Sequence, residues 1–294
     1  LAAHATATPL PTTSRLVGLV QADYTLADGT AEPTTRHISR LILDGALEAA
    51  RQCELELIVQ RAAASELPAR VTRLANATPL AGFLFASLGE EKLVRRLTGR
   101  GLPMVLVDHD APLAGVSTLR DDSAGGARLA IEHLAQLGHR RIAIAYWKAT
   151  DLNPWRLQGY RDTLRLLGLP RRRQWEIMTD LGRSGASEVV TQWQAMSPRP
   201  TAIYCFNNSL ALQVHAALLA AGHHVPRDVS LVGGGGEAST ELTHHQCDWQ
   251  AMGREGLHLL ADAIVTGGTA RCEHRLLPHR LHRGATAAAV NDAC

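Results

Sequence analysis

Aromatic residues make up only 4% of this 294-residue chain, so any core must be built mainly from Leu, Val, Ile and Ala. No apolar run approaches the roughly eighteen residues that would indicate a membrane span. Thirty basic residues against 28 acidic ones give a net charge of +2, which excludes the strong basic field of a chain that binds nucleic acid by itself. A charged-then-apolar export signal is missing from the first residues, and the start at Leu1 reads as that of a fragment. The five cysteines (Cys53, Cys205, Cys247, Cys272 and Cys294) are odd in number, scattered and free of any CxxC pair. They point to free thiols in a reducing cytoplasm rather than to a disulfide framework. HExxH and Cys/His ligand spacings are also missing. The close pairs His223-His224, His244-His245 and His279/His282 therefore read as structural or exposed, and no metal or other cofactor is expected. Gly233 to Gly236 lacks the GK[ST] ending of a phosphate loop, so it marks a close backbone approach or a cleft rim. Spacing supports no Ser/His/Asp or paired-carboxylate arrangement, which argues against an enzyme.

What is present is a repeated alternation of strand and helix, which specifies α/β architecture with doubly wound parallel sheets. The stretch from Asp121 to Tyr146 shows one unit. Asp121, Asp122 and Ser123 offer helix-start acceptors, and Ala127, Ala130, Ile131, Leu134 and Leu137 form one apolar face. Gly138 then stops the helix before an apolar strand from Ile142 to Tyr146. Residues 1–13 are small, polar and interrupted by Pro9 and Pro11, and read as a flexible leader. Strands are expected over residues 16–20, 55–59, 81–85, 103–107 and 116–119. In a second lobe they are expected over 141–146, 175–179, 202–206, 229–232 and 275–283. Helices lie between them, and the strand order is expected to be flavodoxin-like with right-handed crossovers.

Several motifs occur in a recognisable order. Asp121, Gly125, Ala130, Glu132, His133, Leu134, Leu137, Gly138, His139, Arg140, Ile142 and Ala143 follow a D-x-x-x-G…E-H-L-x-x-L-G-H-R-R-I-A signature. Arg156 to Tyr160 reads R-L-Q-G-Y, and Pro200 to Ile203 with Asn207 reads P-T-A-I followed by an amide. Gly222 to Gly233 reads GHHVPRDVSLVG, and Met252-Gly253, Leu277-Pro278 and Arg283 to Thr286 close the series. Together they resemble the LacI/GalR family of transcription regulators over about residues 15–287. The resemblance implies the effector-binding core without its DNA-binding head. Its fold is two doubly wound parallel-sheet subdomains joined by a three-strand hinge, that is, periplasmic binding protein-like, type I. The subdomains are expected at 14–138 with 246–272 and at 139–245 with 273–290, with crossings near His139, His245 and Glu273. A small-molecule effector, either a sugar or a small anionic metabolite, would bind between the lobes. A homodimer would relay the signal to operator DNA through the head, which residues 1–13 do not contain. The competing readings are a solute-binding protein of a sugar transport system and, more remotely, an enzyme on the same scaffold.

Ligands of open α/β sheets sit beyond the C-terminal strand ends, so the candidates lie in those loops. Arg156 leads, because its fixed fork of donors suits hydroxyl pairs or a carboxylate. The plain alternative is a solvated Arg at a helix start. Asp108 follows a buried strand and is either a hydroxyl acceptor or a loop aspartate. Asn207 can donate and accept, whereas Asn208 reads as an N-cap. Topology alone adds Asp23, Tyr24 and Ser87. Trp147 and Trp155 are placed either to stack on a sugar ring or to pack in the core. Where the resembled family carries an aspartate after the strand at residue 229, this chain has Gly233 to Gly236 and then Glu237. Either Glu237 supplies the carboxylate, or the pocket is less anionic and accepts a charged ligand beside Arg156. The second reading is the favoured one.

Overall fold

The computed structural model describes residues 14–23, 33–86, 91–98, 101–108, 115–147, 154–180, 183–236, 240–267 and 271–290. The chain divides into two compact units. The first holds Ile38–Arg120 and Asp248–Leu277 together with the opening strand, and the second holds Asp121–Cys247 and Pro278–Cys294.

In the first unit the strands are β1 (Leu16–Asp23), β2 (Glu56–Ala63), β3 (Gly82–Ala86), β4 (Met104–Val107), β5 (Ser117–Asp121) and β11 (His274–Leu277). They lie in the order β2-β1-β3-β4-β5-β11, and β1 pairs in parallel with both neighbours. β1, β3 and β4 are buried along nearly their whole length, as expected of parallel strands covered on both faces. One face packs Val20, Phe83, Phe85 and Leu106 against Leu67, Val71, Leu93 and Leu97 of α2 (Leu67–Ala77) and α3 (Glu91–Thr98). The other unit-one helices are α1 (Pro33–Gln52) and α8 (Trp249–Val265), and Asp248 caps α8 by accepting from Ala251 N at 2.8 Å.

The second unit repeats the plan with β6 (Ile142–Trp147), β7 (Glu176–Thr179), β8 (Ala202–Cys205), β9 (Ser230–Gly234), β10 (Thr243–Cys247) and β12 (His279–His282). Their order is β7-β6-β8-β9-β10-β12, parallel except for β12, which runs antiparallel to β10. Successive residues alternate between two cores. Ile142, Ile144, Ala202 and Tyr204 face α4 (Ser123–Gln136) and α5 (Trp155–Leu166). Ala143, Ala145, Ile203 and Cys205 face α6 (Arg183–Ala195) and α7 (Asn208–Ala220), where Trp175 and Trp193 fill the layer.

Three expectations need correction. The helix expected to close the first lobe, α4, packs on the second unit, because its apolar stripe of Ala127, Ala130, Ile131 and Leu134 meets Ile142, Ile144, Tyr160 and Leu164. After Ile38 the chain therefore passes between units at Arg120–Asp121, well before His139, and then at Cys247–Asp248 and Leu277–Pro278, close to the expected His245 and Glu273. The single strand expected over 275–283 is two strands in two sheets, since Pro278 has no N–H with which to continue a ladder. Finally, β10 was not anticipated.

His139 lies at the N-terminal edge of the second sheet. It is buried, and its ring reaches Thr201 Oγ1 at 2.9 Å, Ser230 Oγ at 3.0 Å and the Ala288 carbonyl at 3.0 Å. These contacts fasten the closing segment across β8 and β9. Of the five cysteines, Cys53, Cys205, Cys247 and Cys272 are free, and Cys294 lies outside the described residues. No helix among the described residues is long and apolar enough to cross a membrane.

Candidate functional site

Helices α4, α5 and α7 begin at the C-terminal edge of the second sheet, and their first residues converge there. Asp122, rather than Asp121, caps α4 by accepting from Gly125 N at 2.9 Å. Asp121 is thereby free to turn inward, where its side chain is almost wholly buried. Asn207 caps α7 by accepting from Leu210 N at 2.7 Å. That is the role expected of Asn208, which is instead the first helical residue and fully buried. Capping occupies the Asn207 carbonyl oxygen and leaves its amide N–H groups as donors.

Arg156, one residue into α5, is 6% exposed and not a solvated helix-start cation. Its Nη1 donates to the Phe206 carbonyl and, at 2.9 Å, to the Gly234 carbonyl. Its Nη2 donates to Ser123 Oγ at 3.1 Å and to Asp121 Oδ2 at 3.5 Å. The guanidinium also lies 4.7 Å from the centre of the Phe206 ring, within cation–π range. Only Nε lacks a hydrogen-bond partner.

Asp121 is the acceptor at the centre. Ser123 Oγ donates to its Oδ2 at 2.5 Å, and His279 Nε2 lies 2.8 Å from the same oxygen. Burial pushes the carboxyl upward. The His279 hydrogen bond, the charge of Arg156 and the Ser123 hydroxyl outweigh that and hold it down at about 2. His279 Nδ1 lies 2.8 Å from His245 Nδ1, and His245 Nε2 lies 2.7 Å from Tyr204 Oη. Burial, together with the charge of Arg156, holds His245 well below the usual imidazole range. Burial pushes the Tyr204 phenol upward.

The two central histidines are made room for by glycine. A Cβ on Gly234 would stand 2.5 Å from His245 Nε2, and one on Gly126 would stand 2.5 Å from His245 Nδ1. Both distances are shorter than any real Cβ contact, so at Gly234 the glycine run is a close approach to a buried ring.

Trp155 is 39% exposed at the start of α5, and Trp147 is half-buried at the end of β6. In the first unit, Asp23 ends β1 and accepts from Arg61 Nε at 2.5 Å. Asp108 follows β4 with a left-handed φ of 54°, and its N–H donates to the Leu119 carbonyl at 2.9 Å. Tyr24, Ser87 and Glu237 lie outside the described residues. Asp121, Ser123, Tyr204, His245 and His279 join the site without having been singled out for it. Asp121 and Ser123 read as helix-start residues, and the two histidines are 34 positions apart with no motif linking them.

The chain matches the family described as the periplasmic binding protein-like domain over residues 131–287. It is 30% identical over 133 residues to the HTH-type transcriptional repressor PurR of Photobacterium profundum, covering 45% of this chain and 40% of that one. It is also 30% identical over 138 residues to the maltose regulon regulatory protein MalI of Escherichia coli, covering 47% and 40%. The chain thus aligns with less than half the length of these regulators. Among solved structures, the transcriptional regulator CelR in complex with cellobiose superposes with a TM-score of 0.78 at 25% identity, over 93% of this chain and 84% of that one. A LacI family transcriptional regulator from Enterococcus faecium with bound ribose shares the fold, with a TM-score of 0.76 at 21% identity over 94% and 100%. The matched region takes in more than half of the sequence, and the chain belongs to the periplasmic binding protein-like domain family.

Proposed function

We propose that this chain is the ligand-sensing core of a LacI-type repressor, and that its effector is a neutral, hydroxyl-rich small molecule such as a sugar. The observation that carries the choice of effector is the closed bonding of Arg156. Its charge is matched by Asp121, and its two terminal nitrogens are occupied by Ser123 and two backbone carbonyls. An anionic metabolite would have to displace Asp121 to gain a counter-charge. A hydroxyl needs only an acceptor-to-donor match, and Arg156 Nε and the Asn207 amide are donors still available for it. The anionic reading, favoured when Arg156 is taken as an uncommitted cation, therefore gives way to the neutral one.

In this reading effector binding biases the conformational equilibrium of the core, and a homodimer carries the change to a DNA-binding head and its operator in the cytoplasm. The relatives named above are transcriptional regulators, which favours this reading over a transport protein or an enzyme. An apolar outer face on α7 supports self-association, with Leu212 44% and Leu219 59% exposed. Trp147, Trp155, Asp108 and Asp23 remain candidate contacts. A thermal-shift screen against neutral sugars, sugar phosphates, nucleosides and small acids tests the proposal. A true effector at a hundred times its Kd adds about 2.7 kcal/mol of stability. Stabilisation by the anionic compounds alone would contradict it.

A further inference from the structure

We infer that His245 and His279 are positioning residues, which hold Asp121, and through it Arg156, by a one-way line of hydrogen bonds that starts at the Tyr204 hydroxyl. The consequence for effector binding rests on the proposed function; the line itself does not. Three contacts run in series, 2.7 Å from Tyr204 Oη to His245 Nε2, 2.8 Å between the two Nδ1 atoms and 2.8 Å from His279 Nε2 to Asp121 Oδ2. Tyr204 and His245 are fully buried and His279 nearly so.

The direction follows from counting protons. Asp121 is held as a carboxylate, so the hydrogen on its contact with His279 belongs to Nε2. The contact between the two Nδ1 atoms holds one hydrogen. If His279 supplied it, that ring would be an imidazolium and His245 would carry its proton on Nε2, pointing at Tyr204. The Tyr204 O–H would then have no acceptor among the described residues, an unmatched donor in a dry interior. If His245 supplies it, both rings are neutral, Tyr204 donates to His245 Nε2, and every donor along the line meets an acceptor. The second arrangement is the one the geometry selects.

The line fixes the tautomers of both rings. It also fills the side of Asp121 that Arg156 and Ser123 leave open, so the carboxylate has one orientation in which to meet the guanidinium. Without His279, Asp121 could rotate away, and Arg156 would lose the partner that sets its head group.

Long-range proton–nitrogen NMR of the 15N-labelled chain at neutral pH tests this directly. The expected result is a His245 ring protonated only on Nδ1, a His279 ring protonated only on Nε2, and slowly exchanging Arg156 Nη–H groups. His279→Gln keeps an N–H donor near the position of Nε2 and should retain the Arg156 resonances, whereas His279→Phe should lose them. An imidazolium on either ring overturns the inference, as does a wild-type Arg156 signal in a folded His279→Phe chain. The tautomer measurement uses the wild-type chain, so it decides the matter even where His279→Phe fails to fold. Titration of the same sample with D-ribose and with cellobiose separates the two proposals. Binding of neither, with the tautomers as expected, counts against the choice of effector and leaves the line of hydrogen bonds standing.

Discussion

Replacing Arg156 by Met should cost far more than a surface arginine would. The substitution keeps most of the side-chain length and removes the guanidinium. Asp121, 3% exposed, then keeps its negative charge with no cation beside it. Breaking a buried pair from one side costs about 3–5 kcal/mol, because the remaining ion stays desolvated. The Phe206 and Gly234 carbonyls lose their donor as well. With a urea m-value of about 2 kcal/mol/M, the unfolding midpoint should fall by roughly 2 M. Tryptophan fluorescence reports the event in the right place, since Trp147, Trp155, Trp175 and Trp193 are in the second unit and only Trp249 is in the first. The double variant Arg156→Met/Asp121→Asn removes both charges while keeping an acceptor for Ser123. It should recover much of the loss, with a coupling energy of about 1–3 kcal/mol between the sites. A midpoint shift below about 0.5 M for Arg156→Met, or double-variant costs that simply add, would refute the reasoning, because Arg156 would then not be committed to Asp121.

Acid should destabilise the second unit well above the carboxylate range. The folded pKa values of His133, His139 and His245 lie below 6.5, chiefly because of burial, so the unfolded chain binds more protons between those values and 6.5. Their stabilisation is present above about pH 6.5 and is lost as the pH falls towards the folded values, at up to about 1.4 kcal/mol per pH unit for each group. Asp121 adds its own loss only between its unfolded pKa near 3.8 and about 2, so urea midpoints measured between pH 7 and 5 isolate the histidines. A flat profile there would show that those rings titrate freely. His139→Phe should cost about 2–4 kcal/mol, since Thr201, Ser230 and the Ala288 carbonyl lose a shared partner. It should also accelerate hydrogen exchange at Ala288 and Val290, and unchanged protection there would contradict the fastening role. Leu219→Asp on α7 should weaken self-association in sedimentation equilibrium, and an unchanged mass distribution would remove that face from the interface.

The strand-and-helix alternation was legible because buried parallel strands such as β1 and β4 are continuous apolar runs. β10 was not, because its residues Thr243 to Cys247 spell T-H-H-Q-C, and its inward-facing His245 spends its burial on hydrogen bonds rather than on apolar contact. Periodicity identified α4 as a helix with one apolar face, but it carries no information on which of two similar sheets that face will cover. Arg156 was legible from its position at a helix start, where an unpaired cation is unfavourable and needs a reason. Its partners were not, because Asp121 and Asp122 look alike in sequence and only the backbone geometry decides which one caps and which one turns inward. The His245–His279 contact joins adjacent antiparallel strands whose pairing depends on the break at Pro278.

The most direct test of the central claim is calorimetric titration of the wild-type chain with a panel of neutral sugars and, in parallel, with matched sugar phosphates and small carboxylates. The account predicts saturable binding of a neutral sugar, weakened at least tenfold in the Arg156→Met/Asp121→Asn chain, a loss of about 1.4 kcal/mol or more. Tight binding confined to the anionic set, with the neutral sugars giving no heat, would contradict it.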